Sequence, residues 1–346
     1  MRKGLAMASP ETKQLDSIIS SRRALLATGG AALAALALPS IARAASTVSS
    51  YTDNDILNFA LNLEYLEANF YYLAAFGTNI STTNSLYPSG AMVQTITGTG
   101  TQGTVTVKAG PKVPFTSLAI ASYAVEVAIE EGKHVAFLRS ALGSAAVAQP
   151  QLDLMSSFDK LASAAGIGAS FDPFASDANF LVGSYIFEDV GVTAYHGAAP
   201  LISQTTTGKQ ILAAAVGIHA IEAYHAGMIR TTINALDPTG SMGLLGYTQK
   251  ISALRATLAN QIPQSPANPE DTNPDDVGLT TTTTASLAGG SAVSRTTIVD
   301  ADSTNVHGYA RSTSQVLNIV TGGGATTSGT PAKGIFFPNG LNGLFT

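Results

Sequence analysis

The sequence predicts an all-α protein built on a four-helix bundle, and three observations carry that prediction. Four long stretches, 53–76, 116–142, 177–202 and 207–236, place apolar residues at helical spacing. Residues that start and stop helices stand at their ends. Seven of the chain's nine glutamates (64, 67, 126, 130, 131, 188 and 222) fall inside these otherwise apolar stretches.

The first stretch opens on Thr52, three residues before Asp55, a spacing that suits a capping box, and Gly77 closes it. Pro114 precedes the second stretch and Gly143 follows it; Pro200 is expected to end or kink the third, because its ring blocks the helical hydrogen bond. Between the first and second, residues 78–113 are rich in Thr and Gly and alternate over 93–98 and 103–108 as strands do, which predicts a β-hairpin insertion. Between the second and third, residues 144–176 form a long crossover able to carry the chain from one end of a bundle to the other, with a short helix at 151–165.

Residues 50–236 thus make the bundle. Residues 237–346 read as an irregular C-terminal extension packed on it. The extension should hold a helix at 247–261, a Pro-, Asp-, Thr- and Gly-rich surface loop at 263–294, a short helix at 313–319 and an apolar tail from Gly334 that returns to the body.

At the N-terminus, Ser21-Arg22-Arg23-Ala24-Leu25-Leu26 leads an uncharged run to Ile41, followed by Ala42-Arg43-Ala44. Residues 1–44 therefore resemble a twin-arginine signal peptide, which implies the Tat export machinery as a partner and a periplasmic or secreted bacterial protein. A membrane anchor is the alternative, but the run is Ala-rich, short for a span and closed by Pro39, so no stable membrane span is expected in the mature form. Charged residues make up only 12% of the chain, about half the usual share, which suits an exported protein.

Removing residues 1–44 leaves 12 basic against 21 acidic residues, a net charge of −9. An acidic chain with no basic cluster argues against nucleic-acid binding. With no cysteine, disulfides, iron–sulfur clusters and thiol catalysis are excluded, and any metal must be held by carboxylate and imidazole.

Each of the four stretches carries a carboxylate in the middle of an apolar face: Glu64, Glu131, Glu188 and Glu222. A buried carboxylate must be protonated, paired with a cation or bound to metal. The stretches contain only Lys133, Arg139, Lys209 and Arg230 as basic partners, none on those faces, whereas two divalent ions would balance four carboxylates. Glu131-x-x-His134 and Glu222-x-x-His225 each set a carboxylate and an imidazole one turn apart, so that each pair can hold one metal while its Glu bridges; composition alone would give about 0.1 such pairs. Glu64 and Tyr71, and Glu188 and Tyr195, share a Glu-x6-Tyr pattern, so the four helices read as two similar hairpins about a pseudo-twofold axis.

These residues resemble the ferritin-like carboxylate proteins, in which two helices each supply one Glu and the other two each supply Glu-x-x-His. Leu63-Glu-Tyr-Leu-Glu-Ala-Asn-Phe-Tyr71, Glu131-Gly-Lys-His-Val-Ala-Phe-Leu-Arg139, Phe187-Glu-Asp-Val-Gly-Val-Thr-Ala-Tyr-His196, Ala220-Ile-Glu-Ala-Tyr-His225 and the tail motif Phe336-Phe-Pro-Asn-Gly-Leu-Asn-Gly343 are similar to the secreted branch that includes desiccation-related proteins. The resemblance implies two Fe or Mn ions held by Glu64, Glu131, His134, Glu188, Glu222 and His225, with Glu131 and Glu222 bridging. It also implies Tyr71 and Tyr195 as candidate catalytic residues hydrogen-bonded to the ligands, and Glu67 as a seventh ligand or an acceptor beside the site.

Redox chemistry on O2 or peroxide is the most concrete activity this implies. A structural or desiccation-protective protein with a stabilising or vestigial site, and metal sequestration without turnover, are the alternatives. His219 and His196 are expected to be structural, although His219 lies one turn before Glu222 and is in reach of it. Glu126 and Glu130 are expected on the polar side of their helix, and His307 to be incidental. Oligomerisation stays open.

Overall fold

A computed structural model describes residues 51–83, 87–88, 90–262, 276–286, 292–326 and 331–345. The segment 1–44 that resembles a signal peptide, and residues 263–275 and 287–291 of the expected surface loop, lie outside them. Seven α-helices are described: α1 (Asp53–Phe76), α2 (Leu118–Leu142), α3 (Ser156–Ala164), α4 (Asp177–Ala198), α5 (Thr206–Leu236), α6 (Leu244–Asn260) and α7 (Thr313–Val320).

α1, α2, α4 and α5 are the bundle. α1 packs along α2 and α4 along α5, and the two hairpins meet where α1 touches α4. A capping box starts α1, with Thr52 N–H donating to Asp55 Oδ2 at 2.8 Å and Asp55 N–H to Thr52 Oγ1 at 3.3 Å. Ser117, Ser176 and Thr205 cap α2, α4 and α5 with their hydroxyls, each such cap contributing about 1 kcal/mol. Pro200 falls in a single 3-10 turn, Ala199–Leu201, that finishes α4.

Burial divides the four helices by role. α1 and α4 are buried on almost every face, whereas α2 and α5 bury one stripe each, running through Ala124, Val127, Glu131, His134, Val135 and Leu138 in α2 and through Ile218, Glu222, His225, Ile229 and Ile233 in α5. α5 is also long and apolar enough to cross a membrane by length and composition alone. One end of the core is aromatic: the Phe70 ring lies 5.2–6.0 Å from those of Phe158, Phe174, Phe180 and Phe187.

The expected β-hairpin at 78–113 is not what forms. The segment instead runs parallel to the crossover, with β1 (Val105–Thr106) paired to β2 (Leu152–Asp153) and Thr99 bridged to Val147. Ala148 N–H donates to Thr99 O at 2.8 Å and Leu154 N–H to Thr106 O at 2.8 Å. Gly103, at the start of the second alternating run, serves a close approach to the crossover: a Cβ there would lie 2.1 Å from Gln151 N. The extended pattern was sound, and its partner was the crossover.

A two-stranded antiparallel ladder does exist, but in the extension, where β3 (Thr281–Ser286) pairs with β4 (Ala292–Thr296). This corrects the expectation of loop through 263–294; the Thr-rich run, with its β-branched side chains, favours strand. α6 packs against α4 and α5, and α7 against α6 and α4. The apolar tail returns to the bundle as expected: Asn342 exchanges hydrogen bonds with Asn62 of α1 at 2.8 and 3.0 Å and reaches Thr101 O at 2.8 Å and Ala148 O at 2.9 Å.

A buried ion network that sequence reasoning missed joins extension to bundle. Asp189 of α4 accepts from Arg230 of α5 and Arg255 of α6, both at 3.0 Å; Arg255 reaches Asp276 at 2.9 Å, and Arg311 reaches Asp276 at 3.0 Å. Arg230 stood out in an apolar helix. Its partners are too far apart in sequence for spacing to reveal.

Candidate metal centre

Helix geometry delivers six of the expected ligands to one place. α1 contributes Glu64, α4 contributes Glu188, and the one-turn spacing on α2 and α5 projects Glu131 with His134 and Glu222 with His225. They form two groups, Glu64–Glu131–His134–Glu222 and Glu131–Glu188–Glu222–His225, in each of which the candidate ligand atoms lie within 4.8 Å of one another. Glu131 and Glu222 belong to both.

Within the first group His134 Nδ1 stands 3.3 Å from Glu64 Oε2, 3.4 Å from Glu131 Oε2 and 3.7 Å from Glu222 Oε1. Within the second, His225 Nδ1 stands 3.1 Å from Glu131 Oε1 and 3.3 Å from Glu188 Oε2. Donors sharing an ion at about 2.0–2.2 Å stand about 3 Å apart. The spacing fits.

The strongest sign is what these atoms lack. Glu64 Oε2, both oxygens of Glu131, His134 Nδ1, Glu188 Oε2, both oxygens of Glu222 and His225 Nδ1 are buried and none has a hydrogen-bond partner of sound geometry. Buried polar atoms are nearly always satisfied, and an unpartnered one costs about 1–3 kcal/mol. Eight of them converging on one point fit divalent cations, and the oxygen-and-imidazole donor set suits Fe or Mn.

The atoms facing away from the centre are held. Tyr71 of α1 donates to Glu188 Oε1 on α4, and Tyr195 of α4 donates to Glu64 Oε1 on α1. Both phenols thus sit where the sequence reading put them, with each bond crossing to the other hairpin. His225 Nε2 meets Glu130 Oε2 at 2.8 Å, which turns Nδ1 inward. Glu130 therefore departs from its expected polar-face role: it is half-buried and faces α5. Its position directly before Glu131 was the available signal.

Charges in the metal-free centre are tightly interlocked. Burial pushes the Glu64 carboxyl up to about 7 against the pull of His134. Burial also raises Glu188 and Glu222, whereas Glu131, despite its burial, is held well below the usual range by His134 and His225. Burial alone would lower His134, but Glu64 and Glu131 outweigh it and raise the imidazole to about 11; Glu188 leads the same effect at His225. Burial and the carboxylates lift Tyr71 and Tyr195 well above 10, so both phenols stay protonated donors.

Gly191 of α4 makes room for this arrangement. A Cβ there would lie 2.3 Å from Glu222 Oε2.

Glu67 is not in either group. It is buried, one turn from Glu64, and lines an apolar pocket beside the centre. His219 does not reach Glu222; its Nδ1 contacts Val192 O at 3.1 Å. His196 Nδ1 contacts Tyr309 O at 3.1 Å, and exposed His307 lies away from the centre, its backbone N–H bound to Asp302 at 2.7 Å. A third acidic group, Asp189, Asp276 and Asp300, belongs with the arginine network.

A bundle with one Glu from each of two helices and Glu-x-x-His from each of the other two defines the ferritin-like class. The ferritin-like domain matches residues 52–235, more than half of the chain, and the chain belongs to that family. It is similar to the desiccation-related protein PCC13-62 of Craterostigma plantagineum, at 31% identity over 218 residues that cover 61% of this chain and 63% of that one. The chain thus spans less than two thirds of that relative. No solved structure matches it.

Proposed function

We propose that the protein holds two Fe or Mn ions, one by Glu64 and His134, the other by Glu188 and His225, with Glu131 and Glu222 shared between them. The convergence of eight buried, unpartnered donor atoms carries this reading. The −4 charge of four carboxylates balances two divalent ions, with both imidazoles neutral.

Such a pair supplies open coordination positions and a change between M(II) and M(III) for redox chemistry on O2 or peroxide. The chain's own contribution is orientation and exclusion of water. Tyr71 and Tyr195 fix the outer oxygens of Glu188 and Glu64 and keep their protons; Glu130 fixes His225. The burial of all four carboxylates keeps bulk water away. The twin-arginine segment supports placing this chemistry outside the cytoplasm.

Similarity to a desiccation-related protein favours a second reading, in which the ions stabilise a stress-protective protein without turnover. Metal analysis of protein folded in its native host tests the shared part. Two Fe or Mn per chain, lost in the Glu131→Ala/Glu222→Ala variant, is expected; no bound metal after loading with either ion would overturn it. Peroxide consumption by loaded protein separates the two readings.

A further inference from the structure

The outer face of α5 is apolar and, among the described residues, uncovered. Ala213, Val216, Gly217, Ala220, Ala223 and Tyr224 recur along it at one-turn spacing and are all exposed, Val216 by 53% and Tyr224 by 74%. Between Lys209 and Asp237 the helix holds only two Asp, Glu, Lys or Arg residues, Glu222 and Arg230, and both are buried. A contiguous apolar face of this extent marks an interaction site.

Gly217 sharpens the reading. Glycine inside a helix is disfavoured against alanine, and a Cβ at this position would meet nothing within 4 Å. No described residue of the chain therefore calls for the missing side chain. A second body pressed against the helix does.

We propose that this face joins two copies of the chain in a twofold dimer, with the two α5 helices antiparallel and crossing at Ala220. Gly217 and Tyr224 stand equally far from an axis between residues 220 and 221, so each Tyr224 lies over the partner's Gly217 and fills the space that glycine leaves. The same crossing brings Lys209 near the C-terminal end of the partner's helix, where the dipole favours a cation.

Charge selects the occupant. The chain from residue 45 onward carries a net −9 and repels its own copy wherever charged surfaces meet, which leaves the uncharged face for contact. The same excess disfavours an anionic bilayer, and Lys209 alone does not supply the row of Lys and Arg that holds a helix on one. A helix of 31 residues is about 46 Å long and about 10 Å wide, so two laid along one another cover about 1,000 Å² in all, the size at which specific interfaces begin. The face shares no residue with the metal centre, and the inference does not rest on that reading.

Sedimentation equilibrium on protein purified from its native host tests it. A dimer with a dissociation constant of about 1 μM or tighter is expected. Ala220→Glu, which sets two like charges at the axis, should weaken it at least about a hundredfold with unchanged helix content. Val299→Glu, at an exposed apolar position of the extension, should leave it intact. Because the chain has no cysteine, Ala220→Cys should form an intermolecular disulfide on mild oxidation and Val299→Cys should not. A monomer at about 100 μM, or a dimer that Ala220→Glu leaves intact, overturns the inference. So does binding of the wild type to phosphatidylglycerol vesicles that Ala220→Glu abolishes, which would give the face to a membrane.

Discussion

Tyr195 of α4 donates its phenolic hydrogen to Glu64 of α1, across the seam between the two helical hairpins. Tyr71 returns the relation by donating to Glu188. Each hairpin therefore orients the other's single-Glu ligand, which ties assembly of the bundle to assembly of the centre. Tyr195→Phe leaves Glu64 Oε1 unheld and should weaken metal affinity about tenfold or more, with little effect on helix content. Chelator competition measures it, and wild-type affinity in the variant would show that the bond does not position Glu64.

Glu130 plays the same part for His225. Glu130→Ala should lower the affinity of one of the two metal positions about 10–100-fold and leave the other near its wild-type value. A biphasic chelation curve is the expected signature. A uniform weakening would assign Glu130 to the electrostatics of the whole centre.

Gly191→Ala introduces a methyl 2.3 Å from Glu222 Oε2 and must displace that shared carboxylate. The variant should lose bound metal at both positions while its circular dichroism stays helical. Retained metal would mean that Glu222 swings without consequence and is not shared.

Metal uptake should release protons and strengthen as pH rises. In the metal-free centre Glu64 and Glu131 outweigh burial and lift His134 to about 11, while burial lifts Glu64 to about 7, so at neutral pH His134 carries a proton and Glu64 is about half protonated, and an ion must displace both. Lowering the pH favours those protons and weakens binding. A pH-stat trace during Mn addition reads the release directly; uptake with no proton release would contradict the charge scheme.

The arginine network predicts stability rather than chemistry. Asp189→Ala leaves Arg230 and Arg255 buried with a partner missing and should cost about 3–5 kcal/mol in urea unfolding. A cost below about 1 kcal/mol would mean that water or another carboxylate replaces Asp189.

What could be seen in the sequence follows from how local its cause is. The stripes of α2 and α5 were legible because each buries one face, so Glu131, His134, Glu222 and His225 stood out at one-turn spacing. The caps at Thr52 and Gly77 were legible for the same reason, being contacts within four residues. The partner of 96–106 was not, since alternation marks extended chain without saying what it pairs with, and the crossover lies about 45 residues away. Glu67 stands one turn along α1 from Glu64, where its carboxyl still interacts with Glu131, Glu188 and Glu64, and no spacing rule decides between ligand and neighbour there. Asp189, Arg230, Arg255, Asp276 and Arg311 come together from five segments, and nothing in their spacing announces it.

Anomalous X-ray diffraction at the iron and manganese edges, on crystals of protein purified from its native host, tests the dimetal centre most directly. Two peaks about 3.5–4 Å apart are predicted, one against Glu64 and His134 and the other against Glu188 and His225, with Glu131 and Glu222 touching both. A single peak, or full-occupancy metal anywhere else in the chain with none among these six side chains, would contradict it.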